Sequence, residues 1–189
     1  MVTDVVNRIK AELLATFNEL FTWFEVENQL LNYQPANGGW SIQQILEHIS
    51  LTNHYLLILI TKGVRKSLEI SKSTNAVFVP NNYDLDWEKL KTIGEHGSFE
   101  WNRPEHMEPK GEPSLIEIKE RLEKHFHECL NHLAFIKNGE GVLYKTMMSV
   151  NNLGKIDVYH YIYFLVQHSK RHLSQMQKIK IEFNELYDR

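Results

Sequence analysis

The sequence predicts an all-α fold: a four-helix bundle with a long crossover between helices two and three. Four segments carry apolar residues at helical spacing, and glycine, proline and asparagine separate them. Between the second and third segments lies a proline-bearing connection of roughly fifty residues, 64–113, which allows neighbours in the bundle that are not simple hairpins. No repeat, low-complexity run or linker divides the chain, so residues 1–189 read as one bundle domain.

The first helix is expected from Val2 to Leu31, starting at the N-cap types Thr3 or Asp4. Val5, Ile9, Leu13, Phe17, Leu20 and Phe24 form its stripe. Pro35 and the Gly38–Gly39 pair end it. The second is expected from Ser41 to Lys62, with Ile42, Ile45, Ile49, Leu56 and Ile60 inward and Gly63 as its C-terminal stop. A short helix around Asp84 to Ile93 interrupts the crossover, which also holds Pro80, Trp101, His96 and His106 and is placed to lid the open end of the bundle.

The third helix starts at Ser114, where Ser-Leu-Ile-Glu reads as a capping box closed by Glu117. Its seam is Leu115, Ile118, Leu122, Phe126, Cys129, Leu133 and Ile136, and it ends near Asn138–Gly139. The fourth runs from about Ile156 to Phe183 behind the loop 151–157, with Val158, Ile162, Leu165, Met176 and Ile179 inward.

Bulk properties exclude several function classes. A net charge of -3 disfavours nucleic-acid binding by phosphate neutralisation. The most apolar stretch, Tyr55 to Ile60, is too short to cross a bilayer, and the N-terminus lacks the pattern of a signal peptide, so no membrane role is expected. A single cysteine, Cys129, fits a reducing compartment and a cytoplasmic location. On its apolar stripe Cys129 reads as a buried, unactivated thiol.

Ten histidines are the compositional anomaly. His168 and His172 stand four apart on the fourth helix, about 40° in rotation, so both rings leave from one side. With Tyr161 they lie within about 60° of Leu165, where the pattern otherwise calls for apolar residues. Burying two imidazoles costs free energy unless their nitrogens find partners, and a shared divalent ion is one such partner. His48 flanks Ile45 and Ile49 on the second helix and can look into the bundle from there. Spacing alone leaves ordinary core histidines as an equal alternative.

His54 should fall about 120° from His48 and off that face. His160 is expected at solvent or an interface, and His125, His127 and His132 flank the third helix's seam. Gln44, Glu47 and Gln175 are candidates to accept the other N–H of a ligating histidine. Lys170 and Arg171 are expected to face water.

The stretch Gly-Trp-Ser-Ile-Gln-Gln-Ile-Leu-Glu-His at 39–48 resembles the second helix of DinB-like proteins, the superfamily that includes YfiT-type metal hydrolases and thiol-dependent transferases. The segment 158–179, with its His-x-x-x-His followed by Gln175, resembles that family's last helix. The first and third helices match only in length and order.

The resemblance implies a four-helix bundle, often a homodimer, with one divalent metal held by His48, His168 and His172. Zinc or nickel leads among the ions, with iron, copper or manganese as others. It further implies a small-molecule substrate and either hydrolysis or transfer involving a low-molecular-weight thiol. The alternative is a non-catalytic bundle, metal-binding or structural, used for dimerisation.

Overall fold

The computed structural model describes residues 2–74, 83–95, 97–99 and 104–187. Pro80, His96 and Trp101 fall outside them. Four long helices pack around a shared apolar core: α1 (Val2–Thr22), α3 (Ile42–Thr74), α5 (Leu115–Phe135) and α6 (Val158–Tyr187). α3 packs on α5 and α6, and α1 closes the ring against the same two helices. Every inward residue named for the first, second and fourth segments is buried. On α5 the seam holds at Ile118, Leu122, Cys129, Leu133 and Ile136, while Leu115 and Phe126 are half-buried.

The element boundaries differ from expectation in several places, and the fourth helix runs over Val158–Tyr187 instead of Ile156 to Phe183. The first segment is not one helix: α1 ends at Thr22, a 3-10 turn covers Trp23–Glu25, and α2 (Asn28–Asn32) follows. Trp23, Phe24, Leu30 and Leu31 all stay buried across that break, so core packing outweighs helical continuity. α1 also starts at Val2, which puts Asp4 in the first turn instead of at the cap.

α3 runs through Gly63 to Thr74, so Gly63 does not stop it. A Cβ there would sit 2.9 Å from Val158 Cγ2, so this glycine lets α6 approach closely. α5 ends at Phe135, three residues early, and residues 140–143 form a 3-10 turn after Gly139 (φ 105).

The loop before α6 contains a missed hairpin. β1 (Lys145–Met148) pairs antiparallel with β2 (Gly154–Asp157), with Met148 opposite Gly154. Asn151 and Asn152 take positive φ, 47 and 51, at the turn, where asparagine is the tolerated non-glycine residue. Asp157 then caps α6, accepting from His160 N–H at 3.1 Å. That fixes the start of the helix carrying two of the candidate histidines.

The capping box holds as drawn, and the short crossover helix is present but starts three residues later than Asp84. Ser114 and Glu117 form the capping box of α5, and α4 (Trp87–Gly94) interrupts the crossover with Asp86 accepting from Lys89 N–H. α4 packs against α6 and buries Leu90 and Ile93. No helix among the described residues is long and apolar enough to cross a membrane.

Candidate metal centre

His48 reaches inward from the second turn of α3, and His168 and His172 from adjacent turns near the middle of α6. All three are buried, and one ring nitrogen from each lies within 4.8 Å of the other two. The His48 ring centroid is 5.2 Å from that of His168 and 4.8 Å from that of His172. Nε2 of His168 faces Nε2 of His172 at 3.2 Å. Two nitrogens each about 2.0–2.1 Å from one ion, at a bond angle of about 100°, stand about 3.1–3.2 Å apart. The donor set therefore fits an ion, and the three histidines could hold one.

Hydrogen bonds around the rings orient them. The Met107 carbonyl can only accept, so His48 Nδ1 donates to it across 2.7 Å and the lone pair is left on Nε2. His172 Nδ1 lies 3.0 Å from Gln175 Oε1, and donating there gives it the same tautomer. Burial, with the nearby His172, His48 and Arg171, pushes His168 well below the ordinary histidine range. It stays neutral, which is the form that ligates a metal. The Trp40 ring, its centroid 4.8 Å from that of His48, backs the site from the chain entering α3.

A cavity of about 560 Å³ opens on the triad. Leu56, Met148 and Phe164 give it apolar walls, and Thr52, Tyr55 and Arg171 supply polar groups. Among the described residues no aspartate or glutamate lines it. One wall is the β-hairpin, through Met148, Ser149 and Val150, and another is the crossover, through Pro104 and Met107.

The remaining candidates separate cleanly. Gln175 meets His172. Gln44 uses its side chain at the start of α3, where Oε1 accepts from Ser41 N–H at 3.0 Å. Glu47 is buried and holds the crossover: Lys110 N–H and Gly111 N–H donate to its two oxygens at 2.9 and 2.8 Å. Arg171, expected to face water, lines the cavity instead, with Nη1 donating to the Glu95 carbonyl at 2.5 Å. Lys170 pairs with Glu12 at 2.6 Å.

The other histidines stand apart. His160 bonds Asp157 through Nδ1 at 2.8 Å, and His132 Nε2 meets Thr61 Oγ1 at 2.9 Å. His125 is buried beside the exposed His54, while His106 packs its ring on Tyr55 at 4.3 Å. Burial pushes the Cys129 thiol up to about 12, so it is inert at neutral pH.

Sequence reasoning missed Met107, Met148 and Arg171. A main-chain carbonyl leaves no mark in a sequence, and a four-residue strand gives too short an alternation to read. Arg171 did carry a signal, being three residues after His168 and hence on the same side of the helix.

The family model described as the DinB superfamily matches residues 8–176. Among curated proteins the chain is similar to the uncharacterized protein YuaE of Bacillus subtilis (strain 168), at 24% identity over 177 residues, covering 88% of this chain and 96% of that one. No solved structure matches.

Proposed function

Because the chain belongs to the DinB superfamily, we propose that it is a divalent-metal enzyme acting on a small molecule, with His48, His168 and His172 as the ligands. The observation that carries this reading is the convergence of three buried imidazoles at the foot of a 560 Å³ cavity. A purely structural ion would be walled in, whereas this set leaves a side open to the cavity. An ion bound there supplies Lewis acidity, lowering the pKa of a thiol or a water towards neutrality.

The chain's own residues supply orientation and shelter. Met107 and Gln175 fix the tautomers of His48 and His172, and Leu56, Met148 and Phe164 keep bulk water off one side of the reacting centre. Among the described lining residues no carboxylate stands ready as a general base, because Glu47 is committed to the Lys110 and Gly111 amides. That favours transfer of a low-molecular-weight thiol over hydrolysis, since a metal-stabilised thiolate needs no separate base.

The test is to load the protein with zinc or nickel and follow conjugation of an aromatic electrophile to cysteine or other small thiols, alongside ester hydrolysis. Thiol-dependent turnover that falls at least a hundredfold in His48→Gln, with the unfolding midpoint of the metal-free protein unchanged, supports the enzyme. Equal rates in the variant would leave the triad a non-catalytic feature of the bundle.

A further inference from the structure

We propose that a groove between α3 and α5, walled by His54, Lys62 and Arg65 on one side and Lys124 and His125 on the other, binds the phosphate of a small phosphorylated molecule. The groove encloses about 520 Å³ and shares no lining residue with the cavity over the triad, so occupancy of one does not require the other.

The groove gathers positive charge on a chain whose net charge is -3. Lys62 and Arg65 face a single acidic lining residue, Glu128, together with Lys124. Glu128 lies 3.9 Å from Lys124, and Glu69, outside the groove, lies 3.9 Å from Arg65. Exposed pairs at that distance hold little energy and leave both cations able to turn to an anion. The charged groups that bear on His125 are Lys124 and Arg121, with His54 when protonated, and none is acidic.

His125 gives the groove a buried donor. It is only 7% exposed, and its Nδ1 is sealed without a hydrogen-bond partner. A neutral imidazole carries one N–H, and a proton on Nδ1 would bury an unpaired donor. The proton therefore belongs on Nε2, which can donate to an occupant of the groove. Burial, with the positive neighbours, lowers His125 to about 4, so it donates without carrying charge.

This set of groups matches phosphate. A phosphate monoester brings about 1.5–2 negative charges and three strong acceptor oxygens, enough to meet the lysines, the arginine and the imidazole together. A carboxylate brings one charge and two oxygens. A metal ion at the His54–His125 pair, whose ring centroids stand 6.4 Å apart, would be repelled by the same three cations. Leu57 and the exposed Ile58 give the organic part an apolar surface.

The probes are phenyl phosphate, benzoate as a monoanion and phenol as the neutral counterpart, titrated calorimetrically into the full chain. Wild type should bind phenyl phosphate at least tenfold more tightly than benzoate, with no heat from phenol. Lys62 and Lys124 are exposed, so Lys62→Gln/Lys124→Gln keeps the fold, and it should weaken phenyl phosphate at least tenfold. His125→Leu should weaken it at least threefold, whereas Lys10→Gln, at an exposed lysine of α1, should stay within twofold. The His125 ring resonance, identified by its loss in His125→Leu, should move with phenyl phosphate and not with phenol.

Equal affinity in wild type and Lys62→Gln/Lys124→Gln would overturn the proposal, as would benzoate binding as tightly as phenyl phosphate. Affinity abolished by EDTA would assign the phosphate to an ion at the triad and overturn it as well. Cosedimentation with phosphatidate vesicles that phenyl phosphate cannot displace would make the groove a lipid headgroup site, against the small-molecule reading.

Discussion

His48 Nδ1 lies 2.7 Å from the main-chain carbonyl of Met107, so a candidate ligand on α3 is tied to the crossover 59 residues further along the chain. Next to it Glu47 holds the same segment by two amides, at Lys110 and Gly111. Adjacent residues of one helix therefore do two jobs. His48 faces the triad, and Glu47 pins the segment that fixes the His48 tautomer.

Glu47→Ala should release that pin. Leaving two amides without their charged acceptor costs on the order of 2–3 kcal/mol in a half-buried setting, read as a lower midpoint in urea. Metal affinity should fall about tenfold through misorientation of His48, measured by competition with a chromogenic chelator. Glu47→Gln keeps one acceptor oxygen and should lie between. Wild-type affinity in Glu47→Ala would show that the crossover does not orient the ligand.

Gly63 illustrates a packing constraint hidden by a turn-like residue. Replacing glycine by alanine in mid-helix normally stabilises by about 1 kcal/mol. Here the added methyl would meet Val158 Cγ2 at 2.9 Å, and overpacking costs about 1–3 kcal/mol. Gly63→Ala should therefore destabilise, and Val158→Ala should convert the same change into a gain. A double-mutant cycle in denaturant measures the coupling, and simple additivity would contradict the close approach.

Burial lowers His125 to about 4 from the ordinary 6.5, with His54 and Lys124 adding to it. The folded pKa is thus below the unfolded one. Between pH 6.5 and 4 the unfolded chain binds a proton that the folded chain refuses, so stability falls as pH falls through that window. Between pH 6.5 and 4.5 the wild type should lose on the order of 2 kcal/mol more than His125→Leu. Parallel stability curves for the two proteins would mean that His125 is not desolvated in the fold.

Much of the fold and part of the site were legible in the sequence, for physical reasons. The stripes of Val5 to Phe24 and of Val158 to Ile179 follow the helical period because each faces one apolar core, and Ser114 with Glu117 marks a helix start through chemistry that only that position satisfies. His168 and His172 stood out because polar residues occupy an apolar seam. The break after Thr22 was hidden, since Trp23, Phe24, Leu30 and Leu31 keep the core supplied on both sides of it. Gly63 misled because glycine serves both helix ends and close helix crossings. Arg171 is expected in solvent because its partner is the main-chain carbonyl of Glu95, just after α4, and a carbonyl leaves no mark in a sequence.

The central claim is that the three histidines bind one ion. Metal content per chain, by elemental analysis of protein purified without a histidine tag, compared with His168→Ala, tests it most directly. The account predicts close to one equivalent of a divalent transition metal in wild type and less than a tenth in the variant. A wild-type chain that carries none and takes up neither zinc, nickel nor manganese on titration would contradict it.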